Sequence, residues 1–555
     1  MTVTRPGRTA IVEQLVADGV RYVFGNPGTV EQGLLDALEQ VEAPRYILTL
    51  HETVAVGIAD GYARATRRPT IVQLHSGVGL GNGIGMIYQA WRGNAPLVVL
   101  AGEAGLRYDA MDAQMAADLV SMARPVTKWA GRVVHPSSLL RLLRRAMKLA
   151  ATPPMGPVFL ALPADVLDEP NDEEVIPTSF PITRTFPDVS VVKRAAAGLA
   201  AAERPLILAG DGVAASGAQD ELASVAQLLG AEVWGANWSE VNMDQTSPLF
   251  RGCTGHMFGT VSRPILSQAD AVLICGTTVL PEVFPALEGV FAPGAFVIHL
   301  DLNAYEIAKN FPVDLGIVGD PKATLGVLAA RLRTSMTAQQ RIAARRRVTE
   351  LPAKDTDVTP SAEPRALGED DASLHAGMFA AELARQLPKD VVIFDEALTT
   401  SPALTRYLQP SRPASYFVTR GGSLGVGLPG AIGLRLAFPD RTVVGFAGDG
   451  GSMFTFQALW TAARYDVNAK FVICNNRSYR ILKDNIRVYW DELGLAAHAF
   501  PDSFELDRPE IDFEGMARAL GVAALRVDRP DAVQPAIEKA LSHPGPFLLD
   551  LVIPK

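Results

Sequence analysis

Residues 448–476 constrain this chain more than any other stretch. They open Gly448-Asp449-Gly450-Gly451-Ser452 and close Cys474-Asn475-Asn476. The apolar, β-branched run at 441–447 reads as a buried strand, and residues 470–474 read as the next one. Between them, residues 453–464 have helical spacing and no breaker. Asp449 therefore follows one strand and Asn476 follows its neighbour. In a parallel sheet both turns lie at the carboxyl edge, where such sheets bind ligands. A carboxylate and an amide there suit a hard cation that takes oxygen ligands. Gly450 and Gly451 let the backbone approach a diphosphate, and the helix start at Ser452 behind them adds amide donors and a positive dipole end. Gly-Asp-Gly alone is an ordinary turn. Joined to Asn-Asn across two strands it reads as a cofactor motif.

The rest of the chain alternates strand and helix in the same manner, so the expected class is α/β with three doubly wound parallel sheets. The expected domains are 1–170, 190–345 and 374–555. The acidic, proline-bearing stretch 168–187 and the Pro-, Asp- and Glu-rich stretch 348–373 read as linkers. A net charge of −9 argues against nucleic acid or an anionic membrane as partner. The one basic run, 341–347, closes an apparent helix and reads as a solvated face. No apolar run reaches membrane-spanning length, and the first residues have no signal core. Cys253, Cys275 and Cys474 stand far apart, and the last two lie in strand-like runs as buried thiols. A reducing cytoplasm is the expected compartment.

In the first domain, three residues fall at strand ends. Thr29 closes the tight loop Gly25-Asn26-Pro27-Gly28-Thr29. Glu52 opens a helix in which Val54, Ile58 and Tyr62 share a stripe; its plain role is to offset the helix dipole. His75 ends a strand beside the glycine-rich run 77–85, which reads as a turn, and is a candidate acid/base group. That run is no dinucleotide fingerprint, because no acidic residue ends a strand at the required distance.

Taken together, the 448–476 motif and the segment 51–63 resemble the thiamine-diphosphate-dependent 2-oxo-acid decarboxylase and acetolactate synthase family. The resemblance spans the whole chain. It implies thiamine diphosphate held through Mg²⁺, with Asp449, Asn476 and the carbonyl of Ser478 as protein ligands. It gives Glu52 the bond to the aminopyrimidine ring that activates the cofactor. The carbonyl of Gly422 would accept from that ring's amino group, and Leu424 would wedge between the two rings. Thr399 would lie near the diphosphate, although capping the next helix is an equal reading, and Tyr479 would pack at the cofactor or in the core.

Within the family, residues 25–29, 74–85 and 90–102 look most like benzoylformate decarboxylase. That implies non-oxidative decarboxylation of an aryl or bulky 2-oxo acid to an aldehyde, with His75 handling protons. Thr29 stands where that enzyme has serine. Val283 stands where it has a second active-site histidine, and in 281–285 only Glu282 could replace it. Residues 301–309 resemble acetolactate synthases, so the alternative is a carboligase joining the decarboxylated fragment to a second carbonyl. Some relatives carry flavin in the middle domain, a possibility that the residues do not favour. An inactive scaffold on this fold would have lost Glu52, Asp449 or Asn476, and all three are present. The family pattern puts the site between subunits, giving at least a homodimer and usually a homotetramer. Arg477 and Arg480 depart from the pattern, and residues 484–504 read as a lid or subunit contact.

Overall fold

The computed structural model describes residues 4–237, 240–352 and 374–555. It contains three six-stranded sheets of the expected α/β class. One compact unit holds the first and third sheets, and a second unit holds the middle one.

In the first sheet the strands are Tyr22–Gly25 (β1), Arg45–Leu48 (β2), Thr70–Leu74 (β3), Leu97–Glu103 (β4), Ala130–Arg132 (β5) and Val158–Pro163 (β6). They run β2-β1-β3-β4-β6-β5, every pair parallel. The three strands that precede Thr29, Glu52 and His75 are therefore neighbours. The middle sheet comprises Pro205–Ala209 (β7), Glu232–Gly235 (β8), Phe250–Cys253 (β9), Ala271–Cys275 (β10), Phe296–Asp301 (β11) and Leu315–Val318 (β12). Its order is β9-β8-β7-β10-β11-β12, again all parallel. In the third sheet, five of the six strands, Val392–Glu396 (β13), Val443–Gly448 (β14), Lys470–Asn475 (β15), Ala523–Val527 (β16) and Phe547–Val552 (β17), run β13-β14-β15-β17-β16. Asp449 and Asn476 thus follow adjacent strands.

The Glu52 helix, Glu52–Thr66 (α1), is buried almost all round, Val54, Ile58 and Tyr62 included. Small residues make this possible. A Cβ on Gly61 would come within 2.2 Å of the Gly430 carbonyl, and one on Gly433 within 2.1 Å of the Ile58 carbonyl. Gly427–Ala437 therefore packs backbone to backbone against α1.

Two expectations need correction. The glycine-rich run at 77–85 is not a turn but part of the helix Ser76–Arg92 (α2). Each glycine costs a helix about 1 kcal/mol, but close packing accounts for two of them: a Cβ on Gly79 would lie 2.9 Å from Glu52 Oε1, and one on Gly83 3.1 Å from Leu74 Cδ1. Residues 453–464 are not one helix, because Asp449–Ser452 is followed by turns before Ala458–Arg464. In the segment 484–504, residues 484–492 belong to the helix Arg480–Glu492, and Phe500 stacks back on Trp490 with ring centroids 5.8 Å apart. The basic run lies within the helix Ala338–Glu350 with Arg341, Arg345 and Arg346 exposed, as expected of a solvated face, while Arg347 is half-buried and donates to the carbonyls of Leu229 and Ala202. Most of the 348–373 linker lies outside the described residues. Cys275 and Cys474 are buried free thiols, as expected.

Candidate active site

The third sheet's carboxyl edge brings the three expected metal ligands together. Asp449, Asn476 and Ser478 are all buried. Asp449 Oδ2 accepts from the Ser478 amide at 3.2 Å, and Asn476 Oδ1 accepts from the same amide at 3.0 Å. Asp449 Oδ1 accepts from Gly450 N at 2.8 Å. Burial pushes the Asp449 carboxyl up to about 6, against the pull of those backbone amides. A buried acid without a countercharge is what a bound cation would relieve, and a carboxylate, a side-chain amide and a backbone carbonyl are the donor set that Mg²⁺ takes.

Around this turn the backbone leaves room on one side and is braced on the other. A Cβ on Gly448 or on Gly422 would meet no atom within 4 Å, so both face open space. Gly422 holds φ +72°, a left-handed conformation that glycine adopts without strain. Gly450, Gly451 and Ser452 are buried. Tyr479 packs directly on the turn, since a Cβ on Gly450 would sit 2.3 Å from its ring. Leu424 reaches the turn as well, with Cδ2 3.9 Å from the Cβ position of Gly451. Thr399 lies half-buried in the short 3₁₀ turn Leu398–Thr400 after β13. The arrangement fits a diphosphate with its cation.

In the first sheet, Glu52 is buried at the start of α1, and His51 caps that helix by accepting from Thr53 N at 3.2 Å. Glu52 Oε2 accepts from Asn82 Nδ2 at 3.0 Å, which orients the carboxyl group. His75 stands at the N-cap position of α2 without a side-chain capping bond, its side chain 18% exposed. Its Nδ1 is 2.9 Å from Glu31 Oε2, while Glu31 Oε1 accepts from Gly102 N at 2.9 Å. The Thr29 loop lies on the same imidazole: a Cβ on Gly28 would fall 1.8 Å from His75 Nδ1, so only glycine fits there. Thr29 itself is exposed.

Three supporting residues escape a reading of the sequence. Glu31 is buried, and desolvation raises its carboxyl above the usual range while His75 pulls it down. Asn82 carries the one polar side chain between Gly77 and Gly85. Gln89, fully buried in α2, accepts from Arg420 N at 3.1 Å and Gly421 N at 2.5 Å, tying α2 to the loop of Gly422 and Leu424. Replacing Glu31 with glutamine should lower turnover roughly tenfold, because His75 loses the charge that fixes its ring. Thiamine diphosphate affinity should stay unchanged. Steady-state kinetics and calorimetry on the variant check both.

Residues 5–122, 192–328 and 399–551 match the N-terminal TPP-binding, central and C-terminal TPP-binding domains of thiamine pyrophosphate enzymes. The chain is a thiamine pyrophosphate enzyme. It is 30% identical to a benzoylformate decarboxylase of Pseudomonas aeruginosa over 548 residues, covering 98% of each chain. It is 29% identical to a probable acetolactate synthase large subunit of Methanocaldococcus jannaschii, covering 99% of this chain and 92% of that one. Among solved structures, a thiamine-diphosphate-dependent 4-hydroxybenzoylformate decarboxylase of Rhodococcus jostii superposes with a TM-score of 0.87. That match is 26% identical and covers 99% of both chains. Relatives of this thiamine pyrophosphate enzyme thus include a decarboxylase and a carboligase, both acting on small molecules. Among the described residues, no helix is long and apolar enough to cross a membrane.

Proposed function

We propose that this chain decarboxylates an aryl or bulky 2-oxo acid to an aldehyde, using thiamine diphosphate held through Mg²⁺. The observation that carries the reading is the Glu31–His75 pair beside the Thr29 loop, after β1 and β3, with β2, the strand before Glu52, on the other side of β1. When bound, thiamine diphosphate supplies a carbon nucleophile and an electron sink that lets CO₂ leave a 2-oxo acid. Asp449, Asn476 and the Ser478 carbonyl would hold the cation. The amides of residues 450–452 would meet the diphosphate, Thr399 would stand near it, and Tyr479 would brace the turn. Gly422 would accept from the aminopyrimidine ring and Leu424 would separate the two rings.

Glu52, oriented by Asn82, would hold the proton that activates the cofactor. His75 has Nδ1 engaged by Glu31, which leaves Nε2 to deliver a proton to the carbon that CO₂ has left. The Thr29 hydroxyl is available at the same edge to bind the substrate.

Carboligation is the second reading, and Val283 favours it. Val283 is exposed and cannot move a proton, while Glu282 is buried and accepts from Ser262 Oγ rather than turning outward. Product analysis separates the two. Benzoylformate giving benzaldehyde, with no acetolactate from pyruvate, supports the decarboxylase. Acetolactate as the main product supports the carboligase and removes the first reading.

The reading includes a homodimer or homotetramer with the site between subunits. It is supported by the outer face of α2, where Val78, Tyr88 and Trp91 are exposed around Gly81 and Gly85. Flavin is not part of it. Gly212 abuts Gly276 at the middle sheet's carboxyl edge, and a Cβ on Gly210 would strike Thr277. The free cysteines accord with a reducing cytoplasm.

A further inference from the structure

The loop that carries Leu424 is held from both sides by acceptors outside it. On the near side stands Gln89, bonded to the amides of Arg420 and Gly421. On the far side stands Glu396, the last residue of β13 and 1% exposed. Its Oε1 accepts from Gly425 N at 2.5 Å, and its Oε2 accepts from Gly427 N at 2.5 Å. Leu424 is the residue immediately before the first of these anchored amides.

The same carboxylate reaches two further elements. Gly427 opens the helix Gly427–Ala437, whose N-cap Val426 offers no side-chain cap, so Glu396 satisfies that helix start from another strand. A Cβ on Gly451 would lie 3.3 Å from Glu396 Oε1. Glu396 therefore sits between the Leu424 loop, a helix start and the diphosphate turn. Gly425 is pinned a second time, because its carbonyl accepts from Thr455 Oγ1 at 2.5 Å. Burial pushes the Glu396 carboxyl up to about 7 against the pull of these amides. A fully buried acid is costly for a helix cap alone, since an exposed serine or aspartate does that work.

We propose that Glu396 is a positioning residue that fixes Leu424 against the diphosphate turn and so sets the ring geometry in which thiamine diphosphate is held. The proposal rests on the cofactor reading given above. Glutamine at 396 keeps the size and one acceptor but aims an NH₂ group at a backbone N–H. A helix cap that did nothing else would change the melting temperature and leave bound cofactor unaltered.

The test is a double-mutant cycle on the holoenzyme with Glu396→Gln and Leu424→Ala. The readouts are thiamine diphosphate affinity with Mg²⁺ by calorimetry, kcat, and the near-ultraviolet circular dichroism of the bound cofactor. Each single variant should lose about tenfold in affinity and in kcat and alter the cofactor's dichroism, and the double variant should be no worse than Leu424→Ala alone. Additive losses, or a Glu396→Gln protein with native affinity and dichroism, overturn the proposal. An unaffected Leu424→Ala protein overturns the wedge reading and the proposal with it, so the two failures are distinguishable. Glu396→Asp, which keeps the charge and withdraws it by one methylene, serves in the same cycle if the glutamine variant does not fold.

Discussion

Alanine in place of Asp449 is expected to abolish Mg²⁺-dependent binding of thiamine diphosphate. The aspartate is the only charged group in the proposed ligand set; Asn476 and the Ser478 carbonyl are neutral. It also accepts from the amides of Gly450 and Ser478, so its loss frees both sides of the turn at once. Disturbing partners that merely orient metal ligands costs about 10–100-fold in affinity, and removing the charged ligand itself should exceed that. Calorimetry with thiamine diphosphate in the presence of Mg²⁺ should show no measurable heat of binding. The variant should stay folded, because the aspartate's burial is itself unfavourable without a cation. Unchanged binding would overturn the metal assignment.

Glutamine in place of Glu52 should have the opposite profile, with cofactor bound and turnover lost. The glutamine oxygen can still accept from Asn82, and the side chain fills the same space against Gly79. What disappears is the ability to exchange a proton. Placed general acid–base groups contribute about 10²–10⁴-fold, so a fall in kcat of at least a hundredfold is expected, with cofactor affinity within a few-fold of the native value. Wild-type turnover would remove the activation role from Glu52.

The division between these two variants follows what could be read from the chain. Asp449 and Asn476 were legible because strand, turn and helix are local, and two local patterns place both residues on one sheet edge. Glu52 and His75 were legible as residues at strand ends, but their orienting partners were not. Glu31 lies 44 positions from His75, Asn82 lies 30 from Glu52, and Gln89 lies 331 from Arg420. No periodicity reports a contact of that kind.

The misreading of 77–85 has the same origin. Local propensity makes a glycine run a turn, whereas packing makes it a helix, with Gly79 and Gly83 against Glu52 and Leu74 and with Leu80 fully buried. Val283 was legible as a departure, but its consequence depends on chemistry that a valine does not carry. Glu282, the one replacement that the sequence offered, is turned inward to Ser262.

The most direct test of the account is CO₂ release by the cofactor-stripped protein from a panel of 2-oxo acids that includes benzoylformate and pyruvate. The prediction is release only when thiamine diphosphate and Mg²⁺ are both restored, greatest with an aryl or bulky substrate and accompanied by the matching aldehyde. CO₂ release independent of the two additions, or none from any 2-oxo acid when both are present, would contradict it.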